Sequence, residues 1–370
     1  MSETWLLPNL VFNGHDLEPN KALRVSDNVI TEVVDAERAP ESARTVQGIV
    51  SPGFVDLQVN GGGGILFNTS RSAEGVARIA DAHRQFGTTA ILPTVITDKR
   101  EVLSEAVQAV ITAKDDPSIL GIHIEGPHIS VPRRGTHSEC FVRPIDDDTI
   151  AHVARLRDDD FPVMITVAPE SASPEQVTKL ADLGAIVSIG HSDATAEATR
   201  AAIAAGASCA THLFNAMSPM LNREPGVTGA VINSEIAAGI IVDGIHVADE
   251  MIALALRARP RTDSTFIVSD AMPTVGGPDK FSLYGMDVML SDGRLINSEG
   301  SLAGAHFTQA EGVFRLVNAI GIDPASALRM AITTPAELVG RADLATLVGT
   351  KCSDAICLSD DFSFQGFLVQ

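Results

Sequence analysis

Over residues 5–50, short apolar runs (5–12, 22–25, 29–34 and 45–50) alternate with Asn, Gly, Pro and Asp. Runs of this length bounded by turn formers predict a small β-layer. The pattern changes at Ser51-Pro52-Gly53. From Phe54 onward eight β-branched apolar runs follow, at 54–59, 88–95, 120–125, 163–168, 186–189, 208–212, 239–242 and 265–269. Between most of them lie Ala-rich stretches with helical spacing of apolar positions, at 73–86, 101–112, 174–183, 194–205 and 249–258, which predict amphipathic helices. That spacing is weakest after the sixth run, where 222–229 reads as loop. Eight strand-then-helix units predict an α/β fold closed into a TIM-type (β/α)8 barrel rather than an open sheet. Beyond the eighth run comes a Gly-rich, hairpin-like insertion with Asp292-Gly293 as its turn, running to Gly304. Helices are expected at 308–320 and 324–333, and 351–369 returns to β-type runs that would join the N-terminal layer.

The residues that end the barrel runs carry the candidate chemistry. Asn60, Thr94, Glu125, Glu170, His191, His212, His246 and Asp270 stand at these borders, and in a barrel of this type the C-terminal rim gathers such groups at one mouth. In Leu120-Gly-Ile-His-Ile-Glu-Gly-Pro-His128 a β-branched run ends in a carboxylate and is stopped by Gly126-Pro127. A carboxylate closing a buried strand is costly unless something cationic meets it. Glu125, His191 and His212 form an N2O donor set suited to a hydrolytic zinc-type ion with a position left open for water. A single histidine at a strand end is more often a hydrogen-bonded core residue; the argument rests on the three as a set. Asp270, in Val-Ser-Asp-Ala-Met, suits a group that takes a proton from water and returns it to a leaving amine, with a helix N-cap as the alternative. His123 lies two residues before Glu125 and shares its face of the strand; it reads as a buried partner or satisfied core imidazole ahead of a ligand, and His128 is ambiguous in the same way.

Composition narrows the function classes. At 370 residues the chain has room for a barrel and an appendage. It is 45% apolar but only 4% aromatic, so Ala, Val, Ile and Leu must build the core. A formal charge of −20 argues against nucleic acid or an anionic membrane surface as partner, and a small anionic substrate would need local cations. Cys140, Cys209, Cys352 and Cys357 form no metal-type CxxC pair, which fits reduced thiols in the cytosol. With no signal-like start and no run of membrane-spanning length, a soluble cytoplasmic protein is expected.

Ordered motifs along nearly the whole chain carry a resemblance: Pro52-Gly-Phe-Val-Asp56 with Asn60-Gly-Gly, His123-Ile-Glu-Gly-Pro127, Gly135-Thr-His137, Gly190-His-Ser-Asp193, Thr211-His-Leu-Phe-Asn-Ala-Met217, Arg223-Glu-Pro-Gly226, Asp243-Gly-Ile-His246, Ser269-Asp-Ala271 and Leu302-Ala-Gly304. The chain resembles the N-acetylglucosamine-6-phosphate deacetylases of the amidohydrolase superfamily. The resemblance implies a barrel (53–335) with a small β-sandwich made from both chain ends (1–52 and 336–370), a homodimer, and metal-dependent conversion of N-acetylglucosamine 6-phosphate to glucosamine 6-phosphate and acetate in amino-sugar catabolism. It further implies Glu125, His191 and His212 as metal ligands and Asp270 as catalytic acid/base. His137 would contact the substrate and polarise the acetamide carbonyl, with Thr136 beside it. Asn215, Ala216, Arg223 and His246 would bind the sugar phosphate, some of the cationic contacts coming from the dimer partner. Leu302 and Ala303 would close over the sugar. Arg223 makes physical sense in this role, since a planar, permanently charged fork suits a phosphate monoester.

Two departures stand out. Many amidohydrolases carry His-x-His on the first strand for a second metal, whereas this chain has Gln58-Val-Asn60. Neutral amides are poor ligands for zinc-like ions, so one divalent ion per subunit is expected, zinc ahead of other transition metals. The family pattern has a bulky apolar residue more often at the place of His128, and the loop 130–140 is basic, with Arg133 and Arg134. Two rivals stay open: hydrolysis of a cyclic amide or another, non-phosphorylated N-acyl substrate, which leaves Arg223 and His246 without a task, and a catalytically inactive scaffold, against which the intact set argues.

Overall fold

All eight barrel runs are strands. The computed structural model describes residues 3–297, 300 and 302–368; in it they span Phe54–Val59, Thr88–Ile96, Ile122–Glu125, Val163–Val167, Ile186–Ile189, Cys209–Ala210, Ala237–Ile240 and Thr265–Ile267. Each pairs in parallel with the next in chain order. A bridge between Val59 and Ala271 links the last to the first, where Asp270 N donates to Gln58 O at 3.0 Å and Asn60 N to Ala271 O at 2.9 Å. The strands are short and buried on both faces, so they read as apolar runs rather than alternating ones.

Helices Ala73–Arg84, Arg100–Thr112, Pro174–Asp182, Ala196–Ala204 and Asp249–Ala258 match the periodic stretches. Their starts follow from capping: Ser72 accepts from Gly75 N, and Ser173 and Gln176 form a reciprocal capping box. Asp147–Asp158 is a further helix, capped by Asp146 and burying Ile150, Val153 and Leu156. The stretch 222–229, expected as loop, runs into the helix Gly226–Ile232. All of its residues are buried, so it has no polar face from which a period could be read.

After the eighth strand, four antiparallel strands, Lys280–Leu283, Met286–Ser291, Arg294–Asn297 and Leu302–Ala305, form the inserted sheet. Asp292 (φ 50°) and Gly293 (φ 76°) make its expected two-residue turn. Tyr284 and Gly285 make a second such turn, with φ 50° and 82°. Ala305 N donates to Asp270 O and Met272 N to Ala305 O, both at 3.0 Å, which stitches the insertion to the barrel mouth. Gln309–Arg315, Pro324–Ala331 and Thr333–Leu338 follow as helices.

The chain ends share one seven-stranded sheet, ordered Phe364–Phe367, Ala355–Leu358, Arg44–Pro52, Glu3–Phe12, Lys21–Ser26, Val29–Asp35, with Leu17–Pro19 paired to Glu3–Phe12. Leu6, Val11, Leu23, Val25, Ile30, Val50 and Leu347 form its buried apolar cluster. Val369, at the end of the last expected run, lies outside the described residues.

Candidate active site

Glu125 is the last residue of the third barrel strand, and His191 and His212 each follow a strand end by two residues. His191 and His212 hold left-handed backbone, φ 47° and 33°, as does Asp270 at φ 50°. That region costs a residue with a Cβ of order 1–3 kcal/mol, so the barrel enforces it, and it turns each side chain from the wall into the mouth.

The three side chains meet closely. Glu125 Oε1 lies 3.2 Å from His191 Nε2 and 3.0 Å from His212 Nε2, and the two nitrogens are 3.1 Å apart. All three residues are buried. Acceptor atoms this crowded repel one another unless a cation lies among them. Their separations approach the ~3.3 Å between ligand atoms in a tetrahedron with ~2.0 Å bonds. His191 Nδ1 donates to Arg133 O at 2.8 Å, which fixes the ring and leaves Nε2 for the cluster. The donor set and its geometry therefore fit one divalent ion. Burial would raise the Glu125 carboxyl, but His191 and His212 outweigh it and hold it well below the usual range.

Asp270 is tied to the same cluster by neutral amides. Gln58 Nε2 donates to Glu125 Oε1 at 2.9 Å and to Asp270 Oδ1 at 3.1 Å, and Asn60 Nδ2 donates to Asp270 Oδ1 at 2.7 Å. Burial, followed by the charge of Glu125, pushes the Asp270 carboxyl up to about 6. These first-strand amides thus spend their donors on carboxylates. The His137 ring packs tilted at 42° against that of His191, with centroids 4.4 Å apart; its Nδ1 meets Thr97 Oγ1 at 2.8 Å. Burial, then His191, pushes the His137 ring down to about 3, so it is a neutral imidazole.

A cavity of about 170 Å³ lies over the cluster, lined by Glu125, Thr136, His137, His191, His212, Asn215, Ala216, His246, Asp270 and Leu302. His246 is oriented by Asp243, whose Oδ2 accepts from its Nδ1 at 2.6 Å while Oδ1 accepts the Ile245 and His246 N–H groups at 2.8 Å. Two residues of the expected site stand apart. Arg223 is exposed and is not among the residues lining the cavity. Ala303 is fully buried against Ile96, Met272 and Leu283 in the inserted sheet, although its neighbours Leu302 and Gly304 line the cavity.

The other rim candidates sort as clearly. Thr94 is inside the wall, its Oγ1 accepting from Val59 N at 2.9 Å. Glu170 is exposed and accepts from Ser192 Oγ and Asp193 N at 2.7 Å. His123 is a satisfied core imidazole, with Nδ1 donating to Leu57 O at 3.1 Å and Nε2 accepting from Thr166 Oγ1 at 2.7 Å. His128 similarly joins Arg143 O and Thr149 Oγ1. Sequence reasoning missed Thr97 and the orienting role of Asp243. The second strand extends to Ile96 rather than ending near Thr94, and counting from its true end would have found Thr97.

Residues 49–350 match the amidohydrolase family. A curated relative from Shewanella sp. (strain ANA-3), an N-acetylgalactosamine-6-phosphate deacetylase, is 41% identical over 95% of this chain and 91% of its own length. An N-acetylglucosamine-6-phosphate deacetylase from Haemophilus influenzae is 32% identical over 98% and 97%. Among solved structures, N-acetylglucosamine-6-phosphate deacetylase from Pasteurella multocida superposes with a TM-score of 0.91 at 34% identity, covering 100% of this chain and 98% of that one. A Mycobacterium smegmatis N-acetyl-D-glucosamine-6-phosphate deacetylase mutant, in complex with N-acetyl-D-glucosamine-6-phosphate, gives 0.90 at 28% identity with full coverage of both chains. The chain belongs to the amidohydrolase family and, within it, to the group formed by the N-acetylglucosamine- and N-acetylgalactosamine-6-phosphate deacetylases.

Proposed function

We propose that this protein hydrolyses the acetamide of N-acetylglucosamine 6-phosphate to glucosamine 6-phosphate and acetate, as a step of amino-sugar catabolism. The observation that carries this reading is the convergence of Glu125, His191 and His212 on one point beside Asp270 and His137. A divalent ion held by the first three, zinc by preference, would polarise the acetamide carbonyl and acidify the attacking water. Asp270, with a carboxyl near neutrality and Oδ1 held by Gln58 and Asn60, accepts the proton of that water. It then returns the proton to the departing nitrogen, so the amine leaves neutral and the acetic acid formed keeps the water oxygen with its second proton, which it then gives up to solvent to become acetate. His137 turns Nε2 toward the carbonyl oxygen, where negative charge develops. The Gln58 and Asn60 amides occupy the place of a second metal's ligands, in keeping with a single ion.

Thr136, Asn215, Ala216 and His246 line the cavity and would receive the sugar phosphate, with Leu302 closing over it; Ala303, buried in the inserted sheet, would act only through its neighbours Leu302 and Gly304. Arg223 enters this reading through a homodimer, in which it would reach a partner's substrate; its exposure on a loop beside exposed Met220 and Leu221 supports this. A cytoplasmic site of action is part of the same reading.

The higher identity to the galactosamine-type relative supports a second substrate, the C4 epimer N-acetylgalactosamine 6-phosphate. Initial rates on both phosphorylated sugars and on N-acetylglucosamine test the reading. Preference for either phosphorylated epimer over the free sugar is expected, and the ratio of the two assigns the substrate. Equal efficiency with and without the phosphate would overturn it in favour of a non-phosphorylated amide.

A further inference from the structure

The reading above needs His137 to offer a hydrogen, not a lone pair, to the acetamide oxygen. An imidazole nitrogen that accepts a hydrogen bond carries no hydrogen of its own, so the partner of Nδ1 decides whether the ring's N–H sits at Nε2. Among the described residues Nδ1 has one hydrogen-bond partner, Thr97 Oγ1 at 2.8 Å, and none is recorded for Nε2. A threonine hydroxyl can donate or accept, and the surroundings of Thr97 resolve which.

Thr97 is fully buried just past the end of the second barrel strand. Its hydroxyl has a single hydrogen and two acceptors in reach: His137 Nδ1 at 2.8 Å and Glu125 O at 3.5 Å. The longer contact lies outside the range of normal O–H···O bonds and the shorter one within it. The hydrogen therefore belongs to Nδ1. The residue is also held in place from other sides. Tyr284, from the inserted sheet, donates its hydroxyl to Thr97 O. A Cβ on Gly126 would come within 2.2 Å of Thr97 Oγ1, so the glycine after Glu125 leaves the space the hydroxyl fills. Tyr284 thus holds the Thr97 backbone while Gly126 leaves room for its hydroxyl against His137.

We propose that Thr97 is a positioning residue, which by donating its hydroxyl hydrogen to His137 Nδ1 holds the ring in the Nε2–H tautomer with that N–H aimed at the acetamide oxygen. The proposal rests on the deacetylase reading for its catalytic consequence, while the tautomer can be read without any activity.

The test is long-range ¹H–¹⁵N NMR on histidine-labelled, metal-loaded protein, with His137→Gln used to assign the ring, alongside kinetics of Thr97→Val and Thr97→Ser. An Nε2–H tautomer for His137 in the unmodified protein is expected, with mixed tautomers in the isosteric Thr97→Val. In that variant kcat should fall about tenfold to a hundredfold and KM stay within about threefold, while Thr97→Ser, which keeps the donor, should remain near the unmodified rate. An Nδ1–H tautomer in the unmodified protein would overturn the proposal whatever the activity. So would a loss in Thr97→Ser as large as that in Thr97→Val, because the serine keeps the hydroxyl donor that the proposal makes responsible. Absence of deacetylation by a protein that shows the Nε2–H tautomer would instead defeat the deacetylase reading and leave the hydrogen-bond assignment standing.

Discussion

The N-terminal half of the terminal sheet and the barrel mouth use left-handed backbone in opposite ways. In that half of the sheet the non-glycine residues with positive φ are Asn20, Asp27 and Asn28, short polar residues at turns that tolerate that region. At the mouth they are His191, His212, Phe214, Ala216 and Asp270, of which Phe214 and Ala216 have no polar side chain to favour that region. The sheet's turns are solved by the residues that make them. The mouth's turns are imposed by the packed barrel, and the residues bearing the strain include two members of the three-residue cluster and the acid beside it. Strain of this kind persists where the surrounding structure over-determines it, and here it aims side chains inward.

The contrast breaks most sharply at Asp270. Asp270→Asn is expected to lower turnover by ~10³-fold or more while the fold and bound metal stay. Steady-state kinetics with circular dichroism and metal analysis would check this; a variant keeping a tenth of its rate would make Asp270 merely another turn residue. His246→Ala, which leaves Asp243 without its partner, should raise KM for the phosphorylated sugar by ~10- to 100-fold with kcat changed little. An unchanged KM would remove His246 from phosphate recognition.

A smaller effect comes with pH. His83 is buried behind the mouth, with Nε2 donating to Gly61 O at 2.9 Å. Burial pushes His83 from 6.5 down to about 4. A folded-state pKa below the unfolded one means that the unfolded chain binds the proton first, so this stability is complete above 6.5 and drains as pH falls toward 4. His83→Gln should therefore reduce the acid-side slope of unfolding free energy by ~1.4 kcal/mol per pH unit. Urea titrations from neutral pH downward would read it, and an unaltered slope would contradict a neutral buried His83. Smallest of all, Ala216→Gly should stabilise by ~1 kcal/mol by relieving left-handed strain, whereas Asn28→Gly should shift stability by less than ~0.5 kcal/mol. Equal shifts in thermal unfolding would erase the distinction between the two kinds of turn.

Much of this was readable before any coordinates. Eight apolar runs appeared because each strand is buried on both faces, and Glu125, His191, His212 and Asp270 stood out because each is a polar group closing such a run. What stayed hidden has physical causes. The helix Gly226–Ile232 is buried all round, which erases the period that marks a helix. Cys209–Ala210 is far shorter than its apolar run, because His212 and its neighbours have already left the wall. Thr97 is marked only by its place one residue past the true strand end, since a threonine there looks the same whether its hydroxyl faces the core or an imidazole. The chemistry of Arg223 suggests a phosphate ligand, but its position outside the lining of this chain's own cavity depends on tertiary structure that a motif does not carry.

The most direct measurement is turnover of the phosphorylated amino sugar against metal content, taken through chelation and stepwise restoration, with His191→Asn as the control lacking one ligand. Activity should vanish as one ion per subunit is removed and return in proportion as it is restored, and His191→Asn should neither hold the ion nor turn over. Full activity in metal-free protein, or a fully active His191→Asn, would contradict a metal centre at Glu125, His191 and His212.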